Sequence, residues 1–312
     1  YVHPKSVVIH KEGGTSGTDL NSGMKKFQNI NLHFFKQRWK KELSQKNKNG
    51  EKFENEFTRR YKKSILIVDE ETPQKNRDAG SVTAFYFMKI LIEMGFFVTF
   101  LPRNLHFTDS HTEILQELGV HCVYGSEYKN LLNYLDQSNF EYDYVMLNRC
   151  EIANDFFDKV AEKFKGAKII FNTVDLHFLR EERDKSDSSS STLTKEKEIS
   201  AMKKAYKTIV LSDYENKLLT KEYAIKNVST IPLVFEKFEY SKLQRKNFIF
   251  VGNFRHTPNI DSISWFLKNV WAKDYQKFKP HKLHIVGTHI DDKLRKEFSK
   301  YKNVIVDGFV ED

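Results

Sequence analysis

Cysteine is nearly absent from this chain of 312 residues: Cys122 and Cys150 are the only two, and no CxxC spacing occurs. A disulfide framework and a cysteine zinc site are therefore not indicated, and a reducing compartment is expected. No apolar run approaches the ~20 residues of a membrane span, and no signal-peptide pattern opens the sequence. P-loop, HExxH, GxSxG and EF-hand sequences are also missing, which removes the obvious nucleotide hydrolase, metalloprotease, serine hydrolase and calcium readings.

Apolar content is low at 39%, but 26 Phe and 14 Tyr supply large buried areas per side chain. The length suits about two domains of roughly 150 residues each. The formal net charge is +9 with a pI near 9.2. Lysines alternate with glutamates, as in KKELSQKNKNGEKFENEF, and read as dispersed solvated charge. An anionic membrane surface or a sugar phosphate is the second reading of that charge. Nucleic acid is not expected, because no aromatic-interleaved RNA-binding pattern accompanies the lysines.

The clearest element pattern runs from Lys63 to Leu101. Ile65, Leu66, Ile67 and Val68 form an apolar run without alternation, which predicts a parallel strand covered on both faces. Val82, Phe85, Met88, Leu91 and Ile92 then recur at helical spacing until Gly95. The loop between them, Asp69 to Ser81, leaves the carboxyl end of the strand, where open α/β sheets bind ligands. Further apolar runs at 98–101, 120–123, 144–147, 168–171, 208–211 and 228–231 alternate with helical segments and specify a parallel sheet. DKSDSSSSTLT, residues 184–194, is too polar to pack and is predicted as a mobile loop. A second βαβ pattern starts at Phe248, with a helix expected at about Asp261 to Val270 and strands at 283–286 and 304–306.

Three motifs carry a resemblance. Pro73 with Arg77, Asp78, Ala79, Gly80 and Ser81, the sequence VDLHFLR at 174–180, and FVGNFRHTPN at 250–259 together resemble glycosyltransferase family 4, from about residue 63 onward. The resemblance implies α/β architecture of the GT-B type: a Rossmann-like acceptor-side domain at 63–235, and the start of a donor-side domain at 247–312. It implies transfer of a sugar from a nucleotide-sugar to a glycan or lipid-linked acceptor in surface polysaccharide synthesis, with no metal or other cofactor required. A cytoplasmic place follows, with the inner face of the membrane as an alternative. The donor carboxylate motif of that family would lie beyond Asp312, so the expectation is an incomplete second domain. The alternative reading is an inactive GT-B-like scaffold module.

Residues 1–45 show a different pattern, a strand at Val7 to Ile9 and then Met24, Phe27, Phe34, Phe35, Trp39 and Leu43 at helical spacing. Such a helix needs a partner surface. With His10, Glu12, Gly13, Gly17, Thr18, Asp19 and Trp39, this segment resembles the α+β carboxyl-terminal tail of a family 2 transferase of the GT-A type. Residues 46–62 read as a linker.

Candidate site residues sit after predicted strands. Arg77, Asp78, Gly80 and Ser81 meet a helix amino terminus, where free N–H groups favour an anionic or hydroxyl-rich ligand; an ordinary helix cap, with Ser81 able to serve as it, beside a surface Arg77–Asp78 pair is the competing reading. Asp175 and His177 are the candidate catalytic pair, the imidazole acting as general base or hydrogen-bond partner, with Arg180 neutralising phosphate; Asp175 as the cap of a following helix, with His177 a packed surface histidine, is the competing reading. Glu151 is a weaker candidate, read chiefly as a helix-start acid. On the donor side the candidates are Gly252, Asn253, Arg255, His256, Gly287 and Thr288, with Arg255 facing the leaving diphosphate. Asn259 is expected to cap the helix that follows.

Overall fold

The computed structural model describes residue 9 and residues 19–44, 61–125, 128–183, 188–236 and 245–310. Chain contacts divide the protein into two compact units, Tyr1–Glu236 and Lys237–Asp312.

The first unit is built on seven parallel strands: β1 (Lys63–Asp69), β2 (Phe96–Pro102), β3 (His121–Cys122), β4 (Tyr144–Asn148), β5 (Lys168–Asn172), β6 (Lys207–Val210) and β7 (Val228–Thr230). Their spatial order is β3-β2-β1-β4-β5-β6-β7. Strand order reverses between β1 and β4, the switch point of a doubly wound sheet, where a crevice opens at the carboxyl ends. The uninterrupted apolar run of β1 serves both faces. Leu66 and Val68 join one core cluster with Val145, Leu147 and Phe171, whereas Ile65 and Ile67 join another with Met88, Val98 and Phe100.

Helix Ala79–Glu93 follows β1 and ends before Gly95, at φ +87°. The residues predicted as a mobile loop at 184–194 form, from Ser188 onward, the start of helix Ser188–Lys204. Serine and threonine disfavour helix interiors by competing for backbone groups. Here the later turns of the same helix bury Glu198, Ala201 and Met202, and that packing overrides propensity. Residues 184–187 lie outside the described residues.

The second unit holds a three-stranded parallel sheet, β8 (Phe248–Val251), β9 (Leu283–Val286) and β10 (Val304–Gly308), in order β10-β9-β8. Its core gathers Phe254, Ile263, Leu267, Trp271, Leu283, Ile285 and Phe298. The helix expected from Asp261 begins earlier, at Thr257, and passes into π-helical turns at Leu267–Trp271.

Helices Lys26–Arg38 and Lys40–Ser44 confirm the helical spacing of the first segment, yet none of their residues is buried; Phe34 is 62% exposed and Trp39 43%. Val7 and Val8 of the expected strand, the residues His10, Glu12, Gly13, Gly17 and Thr18, and most of the linker lie outside the described residues. No helix among the described residues is long and apolar enough to cross a membrane.

Candidate functional site

Three strands of the first unit end in a polar residue that stays buried: Asp69 on β1, Asn148 on β4 and Asn172 on β5. Their side chains form one network. Asn172 Nδ2 donates to Asn148 Oδ1 (3.1 Å), and Asn148 Nδ2 donates to Asp69 Oδ2 (2.9 Å). Asp69 Oδ1 accepts from the Arg149 Nε (2.9 Å) and from the backbone amide of Glu70 (2.7 Å). Burial pushes the Asp69 carboxyl above its ordinary range, and Arg149 and Asn148 oppose that push. Arg149 itself has φ +73° and Val174, two residues past β5, has φ +64°. Non-glycine residues rarely adopt that region, and such strain clusters at functional positions.

Gly80 explains how Arg149 fits. A Cβ on Gly80 would stand 3.3 Å from Arg149 Nη2 and 3.1 Å from Asp78 Oδ1, so glycine lets the guanidinium lie against the first helical turn. Asp78 caps that helix, accepting from the Ser81 amide (2.8 Å) and hydroxyl (3.0 Å). Ser81 is therefore capped and does not itself cap. Arg77 is exposed and pairs with Glu71 rather than with Asp78.

A second cluster lies at the start of helix His177–Arg183. The His177 ring is held from both sides, Nδ1 against Glu151 Oε1 and Nε2 against Asp175 Oδ1, each at 3.2 Å. Arg180 Nη1 donates to the other oxygen of Asp175 (2.6 Å). Burial lowers the His177 pKa, but hydrogen bonds and charge from Asp175 and Glu151 outweigh it and raise it to about 9. Glu151 falls to about 2 chiefly through its hydrogen bond to His177. Asp175 is disfavoured by burial yet ends below its ordinary range, because His177 and Arg180 face it. At neutral pH the ring is an imidazolium with both N–H groups engaged, so as placed it offers no lone pair to a reacting hydroxyl. This arrangement suits the hydrogen-bond-partner reading of His177 better than the general-base one.

Sequence reasoning passed over Glu198. Fully buried, it accepts from the backbone amides of Phe178 (3.1 Å) and His177 (3.4 Å), and so closes the amino terminus of helix His177–Arg183 in place of Asp175. Burial raises its pKa to about 7. In Glu198 and His177 alike, the folded state holds the proton more tightly than the ordinary values of 4.5 and 6.5 allow. Each contribution is complete below the ordinary value and is lost as pH rises through the folded one. Stability is therefore expected to decline from about pH 5 to pH 9, by roughly 3 kcal/mol per group at most. Glu151 acts oppositely and erodes stability as pH falls from 4.5 toward 2. Urea melts across this range check it: Glu198→Gln should flatten the fall between pH 4.5 and 7 and should match or exceed the native chain at pH 8. A native profile flat from pH 5 to 9 would contradict the burial argument.

The donor-side candidates also meet, on the adjacent strand ends β8 and β9. A Cβ on Gly287, whose φ is +151°, would fall 1.7 Å from the Gly252 carbonyl oxygen, so this glycine is demanded by backbone contact. The Phe254 amide donates to the Thr288 carbonyl (3.0 Å), and Asn253 Oδ1 accepts from the Arg255 amide (3.0 Å). Arg255 and His256 are exposed. His256 occupies the cap position expected of Asn259, because the helix starts at Thr257 with Pro258 in its first turn; Asn259 instead donates to the Asn253 carbonyl (3.0 Å).

A wider recess of about 460 Å³ follows β2 and β3, bordered by Arg103, His106, Phe107 and Lys129. It holds none of the buried polar network and none of the residues predicted from sequence. Among the described residues no group of three or more His, Cys, Asp or Glu side chains is placed to hold a metal ion.

No family model matches the chain, and no curated protein does. Among solved structures it is similar to TarM, with a TM-score of 0.60 at 12% identity, covering 80% of this chain and 77% of that one. A mutant of S. aureus TarM in complex with Fondaparinux, alpha-GlcNAc-glycerol and UDP gives 0.57 at 12%, covering 80% and 78%. A sucrose-phosphate synthase from Thermosynechococcus elongatus gives 0.54 at 11%, covering 80% and 71%. What these likenesses establish is the fold: two Rossmann-like units with parallel sheets, of the GT-B type found in glycosyltransferases.

Proposed function

We propose that this chain is the glycosyl-transferring part of a family 4 enzyme, preceded by the tail of a family 2 transferase, and that it moves a sugar from a nucleotide-sugar to a saccharide or lipid-linked acceptor. The observation that carries the reading is the buried Asp69–Asn148–Asn172 network with Arg149 at the switch point of the first sheet, beside the His177 clamp. Ligands of doubly wound folds bind in that crevice. The bound UDP and glycans of the TarM complex support a nucleotide-sugar donor.

In this reading His177 makes no proton transfer. Its charge holds Asp175 and Glu151 fixed, and their exposed oxygens orient acceptor hydroxyls. Arg180 steadies Asp175 and adds positive charge near the acceptor. On the donor side, the exposed Arg255 guanidinium meets the diphosphate as charge develops on the leaving group. Retention of configuration is what the family resemblance implies.

Titration calorimetry of UDP-sugars into the protein, beside a transfer assay, tests the reading. Micromolar to millimolar binding is expected, weakened by about 1.5–3 kcal/mol in Arg255→Ala if its hydrogen bonds are charge-assisted. A protein that binds no nucleotide-sugar would be the scaffold module instead.

A further inference from the structure

Thr83 is the unexplained group in the site. It is 6% exposed, its Oγ1 has no hydrogen-bond partner among the described residues, and it lines a recess together with Asp69, Gly80, Asn148, Asn172 and Val174. An unpaired buried hydroxyl is unfavourable unless something else meets it. The recess has about 10 Å³ of free volume, room for one water-sized group. Leu211 and Leu233 close its apolar side. A recess of that size admits a single hydroxyl at the tip of a ligand, not a sugar ring.

The charges around the recess choose among ligands. Asp69, Asp78, Glu151 and Asp175 supply four carboxylates, against the cations Arg149, Arg180 and the His177 imidazolium. Although the chain as a whole carries +9, the cations nearest this recess are already engaged, Arg149 by Asp69, and Arg180 and His177 by Asp175. A phosphate or carboxylate placed here would face like charge at low dielectric. A hydroxyl both donates and accepts, so it can satisfy a carboxylate and a guanidinium together.

We propose that this recess receives one hydroxyl of a neutral saccharide acceptor, bonded to Thr83 Oγ1 beside Asp69 and Asn148, and that the surrounding carboxylates disfavour acceptors with an anionic group at that point. The proposal rests on the glycosyl-transfer reading and narrows its substrate class.

Saturation-transfer NMR on the whole chain tests it, with methyl β-D-glucopyranoside, N-acetylglucosamine and glycerol as neutral probes and glucose 6-phosphate and glucuronate as anionic ones. At least one neutral probe should bind, and the anionic sugars about fivefold or more weaker. Thr83→Val, which keeps the shape and removes the hydroxyl, should weaken the neutral probe roughly tenfold. Its melting temperature should be equal or higher, because no hydrogen bond is lost. Thr83→Ser should stay within about threefold of the native chain. The proposal is overturned if no neutral probe binds, if the anionic sugars bind as well, or if Thr83→Val binds as the native chain does, the recess then holding water alone. A UDP-sugar titration of the same sample separates the failures. Saccharide binding without nucleotide-sugar binding sinks the transfer reading only, and the reverse sinks this subsite only.

Discussion

Asp69→Ala should lower the stability of the chain by about 3–5 kcal/mol, read as the shift in a urea unfolding midpoint. The carboxylate is 4% exposed and answers three donors: Arg149 Nε, the Asn148 amide and the Glu70 backbone. Alanine leaves the half-buried guanidinium without its nearest counter-charge and the buried Asn148 without its acceptor, and both losses carry desolvation penalties. Asn172 hangs on the same chain of bonds through Asn148, so the disturbance reaches three strand ends. Asp69→Asn keeps the shape and one acceptor and should fall between the native chain and alanine. In a double-mutant cycle, Asp69→Ala with Arg149→Ala should recover part of the loss, because the orphaned charge is gone. A single-variant effect below about 1 kcal/mol would mean that the network is open to solvent.

His177→Ala and Asp175→Asn should lower turnover by about 10²-fold while nucleotide-sugar affinity stays within about twofold. Without the imidazolium, Asp175 and Glu151 present like charges to each other and lose the group that fixes their positions. Both residues lie in the first unit, whereas Arg255 lies in the second, so Arg255→Ala should chiefly weaken donor binding. The pH profile separates clamp from base. A clamp with pKa about 9 supports activity below that pH and fails above it, whereas a general base would gain activity as pH rises toward 9. If both variants keep native turnover, VDLH is only a helix start, and the first-unit site reduces to the Asp69 network.

Much of the fold is legible in local pattern. The unalternating run at Ile65 to Val68 requires two covered faces, and Leu66 and Ile67 do enter opposite cores. Even the strand-end network left a trace: KSILIVD, YVMLN and KIIFN are apolar runs that each stop on Asp or Asn. A single strand could not give that trace meaning. Only the parallel register, with Asn148 opposite Asn172 on neighbouring strands, lines the three ends up as one network.

Other features have no local signature. Glu198 follows a serine-rich stretch and reads as a surface acid; helix Ser188–Lys204 carries it beneath His177, 21 residues away in sequence. Glu151 reads as a helix-start acid, and the tertiary structure brings it to the far side of the His177 ring.

The sequence by itself determined most of the alternation of strand and helix, and the polar loops that follow the strands, because periodicity and turn residues act over a few neighbours. The tertiary structure alone decided that Glu151 and Asp175 hold the His177 ring from both sides and raise its pKa, that Gly80 lies against Arg149, and that Thr83 Oγ1 meets no partner among the described residues. Protonation, close approach and hydrogen-bond satisfaction depend on what lies within a few ångströms in space, and for these residues those neighbours come from distant parts of the chain.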